Sequence, residues 1–343
     1  MKPNKNLTIN DLAAHLGVHK STISRAMDPE RRHLVSADML ERVSKAAAEL
    51  GYRQNWAASM LSTGKSKAIG VLLPDITNPV FPPILRGIED ALEPEGYFAI
   101  LANTSRHPQA VRQAVDRLLS QRVDGFLIAS ATLADAWLEG LRRTGAQIVL
   151  VNRTDGRGQL PAAISDDEHG MALAVQHLVE LGHRQILHLA GPETLSTGLA
   201  RRDGFLSAMA QHQLAPGPIL ACNAYSIEEG AHAMTAYLAT GPSKATAIVA
   251  ANDLLALGAL QALKAHGVSV PQEMSVVGHN DMPWLDQLAT PLTTIRIQHY
   301  EIGFRAARLL LDGLKGTPGS IDSTVMLRPQ LIVRSSTSVP GPS

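Results

Sequence analysis

Apolar and polar positions follow two different rhythms along this chain. From Thr8 to Leu50 the step is helical. Ile9, Leu12, Ala13 and Leu16 fall on one face, with Thr8 and Asp11 set as a capping box before them and Gly17 as the stop. A second helix is predicted over Lys20-Ser-Thr-Ile-Ser-Arg-Ala-Met27. Ile23, Ala26 and Met27 turn inward there, and Lys20, Ser21, Thr22, Ser24 and Arg25 stay outside. Pro29 keeps the next segment a loop. Ser36 then caps a third helix, with Met39, Leu40, Val43, Ala46, Ala47 and Leu50 at helical spacing before Gly51.

Beyond a polar linker at 62–66 the rhythm changes. Short, nearly continuous apolar runs at 68–73, 97–102, 125–129, 147–151, 185–190, 247–251 and 275–278 alternate with helical stretches such as 108–120, 171–181 and 254–266. Such runs predict parallel strands covered on both faces, and so a large α/β body.

Two short helices joined by a tight turn form a helix-turn-helix, whose second helix offers polar groups to base edges and phosphates. The chain of 343 residues carries no net charge, yet residues 1–67 hold eleven Lys and Arg against six Asp and Glu. A basic head on an acidic body is what DNA binding through the head requires. Arg31, Arg32 and His33 in the loop suit phosphate contact and a solvated surface equally well. One cysteine, Cys222, excludes an intrachain disulfide and fits a reducing compartment. With no legible secretory signal and no membrane-spanning apolar run, a cytoplasmic protein is expected.

The helix-turn-helix, the third helix ending at Gly51-Tyr52, the helix-prone Asn55-Trp-Ala-Ala-Ser-Met-Leu61 and the run Lys67-Ala-Ile-Gly-Val-Leu-Leu-Pro-Asp-Ile-Thr-Asn-Pro-Val-Phe81 come in the order seen in one family. From about Thr8 to Arg334 the chain resembles the LacI family of bacterial transcription regulators. The resemblance implies DNA contacts from Thr8, Lys20, Ser21, Thr22, Ser24 and Arg25. It further implies a hinge helix over 54–62 that brings Asn55, Ala58 and Leu61 to the minor groove, Leu61 as the wedge. Packing of Trp56 and Leu61 on the next domain is the plainer alternative. Gln54 stands where many relatives have proline.

The same resemblance implies a DNA-binding domain over 1–63 and a two-lobed, periplasmic-binding-protein-like body over 66–336. Lobe 1 would take about 66–163 and 297–324, and lobe 2 about 164–296 and 325–336, leaving 337–343 as a tail. Ligands of such sheets bind beyond the carboxyl ends of the strands. There the resemblance places Asn78, Phe81, Ser130, Arg201, Tyr225, Asn252 and Asn280 around a small effector, a sugar, sugar acid or derivative. Asn252 and Asp253 also suit the capping of the helix that follows, a task expected above all of Asp253. Gly278-His-Asn280 departs from the usual Gly-Tyr-Asp, so an acceptor-only carboxylate becomes an amide that also donates.

Other classes fare worse. His169, His177, His183 and His188 lack the paired spacing of a zinc site, and no metal or cofactor is expected. The dinucleotide fingerprint, the phosphate loop and the nucleophile elbow are missing, so no enzyme is expected. A body-only solute-binding protein would lack the helical head. The Ser- and Pro-containing tail shows no heptads, which favours a homodimer on a near-palindromic operator over a tetramer.

Overall fold

The computed structural model describes residues 7–28, 31–52, 65–104, 108–133, 135–241, 244–316 and 323–341. It divides into two compact units, one built mainly from residues 1–68 and one from the rest of the chain.

The first unit is helical. Helix α1 runs Ile9–Leu16, α2 Lys20–Met27 and α3 Ala37–Leu50, with a 3-10 turn at Arg32–Leu34. The capping box forms as the sequence predicts: Asp11 N donates to Thr8 Oγ1 at 3.4 Å, and Thr8 N donates to Asp11 Oδ2 at 2.7 Å. Gly17 and Gly51 end their helices at φ 65°, a left-handed conformation that glycine takes without a Cβ clash. Leu12, Ala13, Ile23, Ala26, Val43, Ala46 and Ala47 form the core. Full burial of a side chain such as Leu12 or Ile23 contributes about 1.5–3 kcal/mol, which is how three short helices hold together. The expected hinge helix, with Gln54, Asn55, Trp56, Ala58 and Leu61, lies outside the described residues.

The second unit contains two six-stranded sheets. Strands β1 (Ala68–Leu73), β2 (Phe98–Asn103), β3 (Gly125–Ile128), β4 (Gln147–Val151), β5 (Ala162–Ser165) and β11 (Thr324–Leu327) make the first, in the order β11-β5-β4-β3-β1-β2. The second is ordered β12-β10-β9-β8-β6-β7, from β6 (Ile186–Ala190), β7 (Ile219–Ala221), β8 (Ala247–Ala250), β9 (Ser275–Asn280), β10 (Thr293–Arg296) and β12 (Gln330–Ile332). The expectation of parallel sheets needs one correction, because β12 runs antiparallel to β10. It follows β11 of the first sheet after only two residues and joins the second sheet at its edge.

Helices cover both faces of each sheet. They are α4 (Phe81–Leu92), α5 (Pro108–Ser120), α6 (Ala136–Arg143), α7 (Asp167–Glu180), α8 (Ser196–Gln211), α9 (Ile227–Leu238), α10 (Asp253–Ala265) and α11 (His299–Leu314). The chain passes between lobes after β5, β10 and β11, the last crossing lying at 328–329 rather than near 324. Helix α11 returns to pack on α4 almost backbone to backbone. A Cβ on Gly303 would stand 1.9 Å from the Ile84 carbonyl oxygen, and one on Gly87 2.0 Å from that of Tyr300.

Thr337 and Ser338, expected in a tail, are tied into the second lobe. The preceding Ser336 is fully buried, giving its hydroxyl hydrogen to Val276 O at 2.6 Å and accepting from Thr293 N at 2.8 Å. Ser338 N donates to Ser275 Oγ at 3.1 Å, and the His183 ring meets Ser338 O at 2.9 Å.

Candidate functional site

Two places combine exposed chemistry with a fixed scaffold. The first is α2. Lys20, Ser24 and Arg25 are exposed, Ser21 and Thr22 are half-buried, and Ile23 and Ala26 anchor the helix from its opposite side. Thr8 is exposed at the start of α1, its hydroxyl donating to Asp11 Oδ2 at 2.6 Å. One short helix thus presents two cations and three hydroxyls on a rigid base, a set suited to phosphates and base edges.

The second is a cleft of about 280 Å³ between the lobes, at the carboxyl ends of the strands. The first lobe supplies Asp75 and Asn78 after β1, Ser130 and Thr132 after β3, Trp137 on α6 and Arg153 after β4. The second supplies Thr194 and Leu195 after β6 and Asn223 and Tyr225 after β7. Two hydrogen bonds join the lobes beside it, Leu133 N to Thr194 O and Thr154 N to Ser196 Oγ, each 2.9 Å.

Several lining groups are held but not used up. Asn78 Oδ1 accepts from Val80 N at 3.1 Å, which leaves its amide donors to the cleft. Asp75 accepts from Thr77 N at 2.9 Å, and Asp135 from Thr132 N at 2.7 Å. Ser130 Oγ is buried with no partner among the described residues. A buried hydroxyl left so is the kind of group a polar ligand completes. Tyr225 packs against Gly191, where a Cβ would come within 2.4 Å of its ring, and burial pushes its phenol pKa up.

Four residues expected at the effector take other places. Phe81 is buried at the first position of α4, in the core of its lobe. Asn252 Oδ1 caps α10, accepting from Leu255 N at 2.9 Å. Its neighbour Asp253, the expected cap, instead accepts from Thr294 Oγ1 at 2.6 Å and Met282 N at 2.9 Å. Burial lifts the Asp253 pKa to about 6. Asn280 ends β9 at φ 121° and is buried off the cleft.

Arg201 stands behind Tyr225, its guanidinium carbon 5.9 Å from the ring centre, and is only 3% exposed. Its Nε and Nη2 lie 3.0 and 2.9 Å from Asp167 Oδ1, and Nη1 donates to Ala251 O at 2.7 Å. His279 Nε2 lies 3.2 Å from the same Asp167 oxygen. Burial alone would raise the Asp167 pKa, but Arg201 and His279 overcome this and hold it low. Burial, reinforced by Arg201, brings His279 down to about 4, so its ring is neutral near pH 7.

Of the residues expected at the effector, Asn78, Ser130 and Tyr225 therefore line the cleft, beside Thr132, Asp135, Trp137, Arg153, Thr194 and Asn223, which were not anticipated. Arg153 had a legible signal, since it follows the strand ending at Val151 by two residues.

Residues 8–55 match the family described as bacterial regulatory proteins, lacI family. Residues 66–327 match periplasmic binding proteins and the sugar binding domain of the LacI family. The chain is 32% identical to the HTH-type transcriptional repressor CytR of Escherichia coli K12 over 96% of each chain. It is 33% identical to the HTH-type transcriptional regulator MalR of Streptomyces coelicolor, over 96% of this chain and 97% of that one. Among solved structures, the lac repressor dimer bound to operator and the anti-inducer ONPF superposes with a TM-score of 0.85 at 29% identity, covering 97% of this chain and all of that one. A transcriptional regulator CelR–cellobiose complex gives 0.73 at 28% identity, over 96% of this chain and 99% of that one.

Proposed function

The chain belongs to the LacI family of bacterial regulatory proteins, and from that premise we propose that it is an operator-binding transcriptional repressor controlled by a small sugar-like effector. The protein works as a homodimer. Two copies of α2 enter successive major grooves of a near-palindromic operator. It performs no catalysis and acts in the cytoplasm, where its DNA is.

The observation that carries this reading is the inter-lobe cleft in a chain that also has an exposed helix-turn-helix. Trp137 and Tyr225 supply flat faces for a ring, Asn78 and Arg153 supply donors, and Ser130 Oγ supplies a waiting partner. A ligand held by both lobes favours one lobe arrangement over another. That preference appears at the DNA only through its different affinity for the two arrangements, and the coupling is reciprocal. In this reading the effector releases the operator.

A thermal-shift screen of sugars, sugar acids and sugar derivatives identifies the effector, because a ligand of the folded state raises the melting temperature. Operator affinity is then measured with and without it. A ligand that binds the cleft yet leaves operator affinity unchanged would overturn the allosteric reading.

A further inference from the structure

The way α2 is capped decides what it reads. His19 is the N-cap, and its Nδ1 lies 3.3 Å from Ser21 N and 2.8 Å from Ser21 Oγ. A backbone N–H only donates, so Nδ1 is the ring nitrogen that carries no hydrogen. A bare Nδ1 cannot donate to the hydroxyl either, so the hydroxyl donates to it. The single hydrogen of Ser21 Oγ is therefore committed to His19, and the oxygen shows only lone pairs outward.

Ser21 is the second residue of α2 and is partly exposed, while Ile23 and Ala26 fix the opposite side of the helix in the core. Residues at the N-terminal end of such a helix are the ones that meet base edges. We propose that Ser21 is an acceptor-only base reader, held in that polarity by His19, and that it selects adenine or cytosine at one strand position of each operator half-site. The proposal rests on the DNA-binding reading above.

The discrimination comes from the chemistry of the groove. Adenine N6 and cytosine N4 carry amino hydrogens there, whereas guanine N7 and O6 and thymine O4 are acceptors. A committed Ser21 hydroxyl bonds to the first pair and sets lone pair against lone pair with the second. An uncommitted serine rotates its hydroxyl and takes either role. Lys20 and Arg25 are donors only, so they favour the acceptor edges that Ser21 refuses.

The test is selection of duplexes from a randomised pool by the full-length protein, followed by affinity measurement on single-position variants. One position per half-site should favour A or C over G or T by about tenfold. Ser21→Ala should bring that ratio near one while other positions keep theirs. His19→Ser retains a good helix cap and frees the hydroxyl, so G and T should become tolerated at the same position. Circular dichroism confirms that both variants fold, and alanine is fully compatible with a helix. A Ser21-dependent position that prefers G or T would overturn the proposal. So would an A/C preference that survives His19→Ser unchanged. Enrichment of no motif by the parent protein would instead remove the DNA-binding reading beneath it.

Discussion

Replacing Asp167 with asparagine isolates one charge in the second lobe. The shape is kept, but the buried guanidinium of Arg201 loses its carboxylate. Asp167 is 8% exposed and Arg201 3%, so water cannot stand in for the lost charge. Breaking a buried pair from one side is destabilising by about 3–5 kcal/mol. Arg201 keeps its bond to Ala251 O, and the charge of Asp253 also acts on it, which sets the value near the low end, about 3 kcal/mol. At roughly 2–4 °C per kcal/mol for a unit of this size, the body should melt about 6–12 °C lower. Calorimetry of the full chain at pH 7.5 reads this directly. Arg201→Met in the same chain removes the stranded charge and should restore part of the loss, because apolar replacement of a whole buried pair is often neutral. A fall below about 2 °C for Asp167→Asn, or a double variant that melts lower still, would refute the account of this pair.

Acid should weaken the body. His188, His279 and His299 each fall to about 4 in the fold, chiefly through burial, so the stability they confer is present above their ordinary pKa of 6.5 and is lost as pH falls toward 4. Asp253, raised to about 6, runs the other way, but three groups outweigh one; an unchanged melting temperature between pH 7 and pH 5 would contradict this. Gly303→Ala drives a methyl onto the Ile84 carbonyl and should cost about 1–3 kcal/mol or more by denaturant titration, while Gly140→Ala, whose Cβ meets nothing within 4 Å, should not destabilise. Arg153→Ala should weaken effector binding by roughly tenfold in isothermal titration while leaving effector-free operator affinity intact. Leu61→Ala should reduce operator bending in circular-permutation gel assays, since an apolar wedge is what kinks the duplex.

The periods of the chain made most of the fold legible. Strands 68–73 and 147–151 and the helix 108–120 fall where the apolar runs put them, because these inner strands are covered on both faces and buried almost throughout. The less visible elements lacked that burial. β7 is a three-residue edge strand, half exposed, and β11 and β12 are short and partly solvated. Helix α4 begins Phe81-Pro82-Pro83, a sequence that looks like an interruption, although proline is tolerated in a first turn whose N–H groups have no intrahelical partner. The cleft was half legible. Strand ends identify which loops meet there, but which side chains face one another depends on how the second lobe closes on the first.

Arg201 shows how one departure in sequence redirects a site. A guanidinium this deeply buried requires a countercharge. Position 280 offers only an uncharged amide. Asp253 is already bonded to Thr294 and Met282. Asp167, on the first turn of α7, is then the carboxylate that Arg201 meets, and the His279 ring stands with Nε2 3.2 Å from the same oxygen. Gly170 makes room for that ring, since a Cβ there would stand 2.7 Å from His279 Cε1. With three of its five N–H groups engaged behind Tyr225, Arg201 supports the aromatic wall. Among the described residues, the cation that lines the cleft is Arg153. On the function proposed above, an effector would be gripped by Arg153 from the first lobe and backed by Tyr225 on the second, so its binding would depend on both lobes being brought together.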